Sequence, residues 1–317
     1  MNKFKKLGLT ALAGSLVAST AYAGEMSVAG SASIGIKNNS GTDGGKSITM
    51  GNQLTFSGGG ELDNGLNVAL SFVLDHTDNV SKGFDSHSIT ISSDTLGSIV
   101  VAGDGTGNAQ SALDTTAAGD AWDNGFTYQG TAYAAMGGST ASNNKSVNYT
   151  FPAVIDGVAL SASYSGSTTG IKSTTAFAAT YTGVEGLSVS YGVGEAGSTT
   201  ATAAADVTTM KASYAIGSFT AAYSNTENDR GSTGIDEEMS SWKLSYTVTD
   251  DLSISYGEET HETTGETVDE EFDAISVSYT TGGMTITAAQ YNAEGLANTT
   301  GSEGEAARWK LSTSFAF

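Results

Sequence analysis

WKLSYTVTDDLSISYGE, residues 242–258, carries the pattern that decides the fold. Trp242, Leu244 and Tyr246 alternate with Lys243 and Ser245, a short turn follows, and Leu252, Ile254 and Tyr256 take up the alternation again. Successive side chains of a strand point to opposite faces, so a period of two marks a strand with one apolar and one polar face. Two such strands about a short turn form a hairpin. The unit recurs at 147–165 (VNYTFPAVIDGVALSASYS), 177–193 (FAATYTGVEGLSVSYGV), 211–224 (KASYAIGSFTAAYS) and 275–291 (ISVSYTTGGMTITAAQY). Tyr149, Tyr181, Tyr214, Tyr246 and Tyr279, each just ahead of a short turn, lie 32, 33, 32 and 33 residues apart.

Working outward, 60–75 (GELDNGLNVALSFVLD) and 89–103 (ITISSDTLGSIVVAG) add two earlier hairpins. Seven short turns give fourteen strands. A first strand at Met26–Ile36 and a last at Ala307–Phe317 bring the count to sixteen, an even number that puts both chain ends on one side. Long, uneven, acidic segments such as 224–241 and 258–273 separate the hairpins. Short turns at one end and long loops at the other predict an all-β, antiparallel up-and-down transmembrane barrel. A β-solenoid would not alternate the two kinds of connection. In hydrocarbon every backbone polar group needs a partner, so the sheet must close. The sole proline, Pro152, falls in a turn, where it costs no ladder hydrogen bond. On the last strand Trp309, Leu311, Thr313, Phe315 and Phe317 share the face predicted to meet lipid, and Arg308, Lys310, Ser312 and Ser314 the face predicted to meet the lumen. The tyrosines before the turns predict one aromatic girdle, with Tyr164, Tyr191, Tyr223 and Tyr256 nearer the other interface.

The N-terminus reads as an address. Lys3, Lys5 and Lys6 precede an apolar stretch, Leu7 to Val17, and Ala21-Tyr22-Ala23 offers small residues for cleavage before Gly24. Residues 1–23 are therefore read as a secretory signal and 24–317 as the barrel. Cleavage removes three lysines and no acids, leaving 10 bases against 34 acids, a net charge of −24. Such a chain is a poor nucleic-acid binder. Without cysteine it has no disulfide, thiol nucleophile or thiolate metal site.

With these features in hand, the chain resembles the general diffusion porins of Gram-negative bacteria, of the sixteen-stranded trimeric type. The resemblance rests on GEMSVAGSASIGI (24–36) after the signal, the turn GELDNGL, the hairpin DTLGSIVVAG, NNKSVNYTFP (143–152) and the terminal SFAF. It implies an outer-membrane, water-filled channel for passive diffusion of small hydrophilic solutes and ions. It also implies a homotrimer, contact with outer-membrane lipid and lipopolysaccharide, and a terminal Phe317 read by the outer-membrane assembly machinery. The long interval between the turns at 94–97 and 152–157 matches the family's third external loop, which folds inward, and 104–145 is expected to be that constriction loop. It carries Asp104, Asp114, Asp120, Trp122, Asp123 and Tyr128. The family's arginine cluster on the early strands is missing, since Arg230 and Arg308 are the only arginines. Alternation points Lys211, Lys243, Arg308 and Lys310 inward, a weak basic wall facing an acidic loop. That balance predicts a preference for cations.

Other chemistry is thin. His76, His87 and His261 are scattered, Gly103–Gly107 opens no βαβ unit, and no motif supports a hydrolytic triad. No metal, cofactor or enzymatic activity is expected. Asp236-Glu237-Glu238 and Asp269-Glu270-Glu271 read as a charged rim, with divalent cations as the sharper alternative. The competing class is a secreted or surface-attached adhesive β-protein without a channel. It would be soluble without detergent and pass no current.

Overall fold

The computed structural model describes residues 25–39, 45–75, 85–104, 107–113, 116–123, 126, 145–167, 173–196, 205–230, 235–301 and 304–317. The leader at 1–23, His76, Asp114 and Tyr128 lie outside the described residues.

Sixteen strands form one closed antiparallel barrel. They are β1 Glu25–Asn39, β2 Gly45–Glu61, β3 Asn67–Asp75, β4 Ser86–Ser93, β5 Gly97–Asp104, β6 Ser146–Thr150, β7 Val158–Ser165 and β8 Thr174–Tyr181. There follow β9 Leu187–Ala196, β10 Ala205–Ile216, β11 Phe219–Asp229, β12 Glu237–Thr247, β13 Leu252–Thr263, β14 Glu270–Thr281, β15 Met284–Glu294 and β16 Ala306–Ala316. Each strand pairs with its sequence neighbours, and β1 pairs with β16 to close the ring. Among the described residues no helix is long and apolar enough to cross a membrane, which leaves crossing by strands untouched.

The seam between β16 and β1 is locked at its end. Gly30 and Phe317 exchange two backbone hydrogen bonds, of 2.7 and 2.9 Å. Any side chain at Gly30 would overlap the Phe317 ring, so the glycine makes room for the terminal aromatic.

Register assigns the faces. Ile36 lies opposite Ile48, Ile34 opposite Met50, Phe56 opposite Phe72, and Leu70 opposite Ile89, so apolar partners meet across the outer surface. This surface is uncovered: Ile48 is 76% and Met50 71% exposed. Leu311 and Phe315 are exposed too, and Trp309 is half-buried. A continuous apolar exterior is stable where the surroundings are hydrocarbon. Outward tyrosines stand at two levels. Tyr181, Tyr214, Tyr246 and Tyr279 lie near the short turns, and Tyr164, Tyr191 and Tyr223 lie further along their strands. The Tyr149 hydroxyl donates to the Leu96 carbonyl at 2.6 Å, fastening one girdle residue to a turn.

The strands run further than the apolar alternation suggests. Much of the acidic segments at 224–241 and 258–273 is strand, in β11 to β14. There both faces are polar, so the hydrophobic period disappears while the hydrogen-bond ladder continues. Glu237 and Glu270, expected on a solvated rim, point inward and are buried. Glu237 accepts from Asn228 Nδ2 at 3.2 Å and lies 3.3 Å from the Arg230 guanidinium. Glu270 lies 3.2 Å from His261 Nδ1 and accepts from the Ala297 amide at 2.6 Å.

Candidate functional site

The inward face from β6 to β13 is mostly small and polar. Register puts Asn148, Ser163, Thr209, Ser224, Thr226, Ser241 and Glu259 on it. Against this wall lies the chain that follows β5. Asn148 Nδ2 donates to the Gly107 carbonyl at 3.0 Å, and the Ala109 amide donates to Ser163 Oγ at 2.9 Å. Gln110 Nε2 donates to Thr209 Oγ1 at 2.8 Å, and that hydroxyl pairs with Thr226 Oγ1 at 3.0 Å. The amides of Ala117 and Ala118 donate to Ser224 and Ser241, both at 2.8 Å. The described parts of 107–126 therefore cross the barrel interior from β6 to β13.

Two further devices seat the segment. Gly192 of β9 and Gly257 of β13 leave room for it: a side chain on Gly192 would reach within 3.2 Å of Gln110 Cα, and one on Gly257 within 3.1 Å of Ala118 Cα. Apolar contacts do the rest. Ala121, Trp122 and Phe126 pack against Met239, Phe272, Ala293 and Leu296. Phe126 and Phe272 have ring centroids 5.7 Å apart, and the Arg308 guanidinium lies 5.5 Å from the centre of the Phe126 ring.

Glu259 is the charged anchor. It is 1% exposed, and its Oε1 accepts from the Thr116 hydroxyl at 2.5 Å and the Ala121 amide at 3.0 Å. Oε2 accepts from the Trp122 amide at 3.0 Å. These bonds flank a tight turn in which Gly119 has φ 89° and Asp120 φ 55°. The turn presents Asp120 and Asp123. Partial burial and the neighbouring Asp120 carboxylate push the Asp123 carboxyl above its ordinary value, while Lys310 and Lys37 pull it the other way. Lys37 and Lys310 are direct partners across the β1–β16 seam, both on the lumen side.

Of the residues singled out from sequence, Asp120, Trp122 and Asp123 come together on this inner segment, and Asp104 ends β5. Lys211, Lys243, Arg308 and Lys310 all take inward positions. They are not equivalent. Lys310 acts electrostatically on Asp123, Lys243 lies beneath the Gly119 turn, and Arg308 is buried under Phe126. Three contributors escaped the sequence reading. Lys37 was one residue beyond the assigned end of the first strand, although it continues the same alternation. Glu259 sat in a run taken for a loop. Phe126 gave no signal, because nothing in a loop sequence says which aromatic will find a wall.

A family model described as Gram-negative porin matches residues 8–317. No curated protein sequence matches the chain. Among solved structures, OmpF of Salmonella typhi, in complex with daunomycin, superposes with TM-score 0.70 at 11% identity, covering 92% of this chain and 97% of that one. An anion-selective porin from Comamonas acidovorans gives TM-score 0.68 at 14% identity over 92% and 99% of the two chains. OmpT of Vibrio cholerae, lacking loop L8, gives 0.67 at 17% over 93% and 100%.

Proposed function

The chain belongs to the Gram-negative porin family, whose members are outer-membrane diffusion channels, and from that premise we propose that 104–145 is the constriction loop of a mildly cation-preferring pore. The observation that carries this reading is the acidic turn held inside a closed barrel, with the Lys37–Lys310 pair within electrostatic reach of Asp123. Opposed charges across a narrow aqueous passage orient dipolar solutes and disfavour apolar ones. The serine- and threonine-rich wall keeps the passage wet. Small hydrophilic solutes and ions then move down their gradients.

The sign of selectivity follows from the balance of charge along the route. The anion-selective Comamonas acidovorans channel shares this architecture, so the sign resides in side chains and not in the fold. On the β11 to β14 side, the long-loop end gathers Glu227, Asp229, Asp236, Glu262, Glu266 and Asp269, with Arg230 paired to Glu237 among them. A mouth of one sign enriches ions of the other. The lysine pair beyond it moderates this effect without reversing it.

The remaining assignments follow the family reading. Residues 1–23 direct export, the outward tyrosines seat the barrel in lipid and lipopolysaccharide, Phe317 is the mark read by the assembly machinery, and three copies associate. Planar-bilayer recording in a salt gradient tests the core of the proposal. Stepwise conductance with a cation-selective reversal potential is expected. An anion-selective value overturns the charge argument, and a detergent-independent soluble protein without conductance would favour the adhesive alternative.

A further inference from the structure

We propose that Glu259 is the positioning residue of the constriction: it never meets the permeating ion, yet it fixes the acidic turn and thereby sets ion preference. The inference rests on the channel reading above. It starts from the number and placement of the bonds that Glu259 accepts. Ser163, Ser224 and Ser241 each hold the inner segment through one neutral bond to one backbone amide. Glu259 takes three donors, one before the turn at Thr116 and two after it at Ala121 and Trp122. Bonds to a carboxylate are stronger than bonds to a hydroxyl.

The turn between those donors needs such a grip. Asp120 has φ 55°, in the left-handed region that aspartate tolerates better than most residues with a side chain but that still favours a fixed local hydrogen-bond partner. The Thr116 hydroxyl, while donating to Glu259, accepts the Asp120 amide at 2.7 Å, so the clasp passes directly to that residue. On the wall side, β13 supplies both halves of the seat two residues apart on one face. Gly257 yields the space for Ala118, and Glu259 yields the acceptors. Asp120 and Asp123 ride on that turn, and the electrostatic reach of Lys310 and Lys37 to Asp123 depends on where it stands. Glu259 itself is shut away from the lumen. Its influence on ions must therefore pass through the loop.

The test uses the full chain reconstituted in planar bilayers, with folding checked by heat-modifiable migration. Glu259→Ala is expected to lower the cation-to-anion permeability ratio about twofold and to raise open-channel current noise as the turn wanders. Glu259→Gln, which keeps the bulk and one acceptor but presents a donor in place of the other, is expected to lower the ratio less than Glu259→Ala does. In an Asp120→Asn/Asp123→Asn background, adding Glu259→Ala should change the ratio no further. Thr116→Val removes the hydroxyl that bonds both Glu259 and the Asp120 amide, and it covers the case in which Glu259→Ala fails to assemble; it should act in the same direction. Wild-type ratio and noise in Glu259→Ala would overturn the proposal. So would an additive loss in the triple variant, since that assigns the effect to the charge of Glu259 itself. A wild-type barrel that conducts nothing would overturn the channel reading and this inference together.

Discussion

Asp123 is one residue at which pH acts on the proposed constriction. Its carboxyl is raised from the ordinary 3.8, first by burial and then by Asp120, so it keeps its proton to a higher pH than a free aspartate does. The charge is present above that raised value and is lost as pH falls through it. Cation preference should accordingly decline on acidification before ordinary aspartates titrate, and Asp123→Asn should remove that first stage. Reversal potentials measured from about pH 7 down to pH 4 would show it, and an unchanged profile in Asp123→Asn would refute the assignment. The opposite change is available across the lumen. Lys37→Gln with Lys310→Gln removes the facing bases and should make the same reversal potential more cationic. Gly30 is a residue of another kind. Gly30→Val pushes a side chain into the space of the Phe317 ring and must displace that ring from the seam, so the folded, heat-modifiable band should weaken.

Among the elements, the inner segment is the one proposed to set permeability. Excising 107–126 with a short glycine linker should raise single-channel conductance about two- to threefold while the barrel still assembles, because the strands pair without it. A truncated channel of wild-type conductance would show that the loop does not narrow the path. The outer ends of β11 to β13 carry a different tension. Glu227 stands directly opposite Glu238, and Glu238 opposite Glu262, on the outward face. Like charges placed opposite each other destabilise a sheet, and salt screens them. Unfolding temperature should rise with ionic strength, and Glu238→Gln should flatten that dependence. These ends also show where the sequence was legible. Strands crossing from hydrocarbon to water inside must alternate, so β1 to β16 could be read from period two. Beyond the apolar band the pattern lapses, and Glu237, Glu259 and Glu270 were read as loop although the ladder carries them inward. The inner segment announced itself by length and acidity. Its contacts did not, because Gly192, Gly257 and Glu259 acquire their meaning only when distant strands are brought beneath it.

At the scale of the whole molecule, closure explains both stability and assembly. A ring of sixteen strands offers lipid no unpaired backbone edge. Three copies packed side by side should migrate on SDS gels as an oligomer that dissociates on boiling, and migration as a monomer without heating would argue against the trimer. The outer surface is divided in a way that suits this. Aliphatic residues such as Val28, Ile34 and Met50 cover β1 and β2, while the exposed tyrosines begin at Tyr164 on β7. The lock between Gly30 and Phe317 has a practical corollary. An affinity tag fused after Phe317 would start at the residue whose backbone trades bonds with Gly30, adding bulk directly beside the suture that completes the cylinder. Purification handles therefore belong in the long connections at the far end, and a carboxyl-terminal histidine tail should cut the yield of inserted protein.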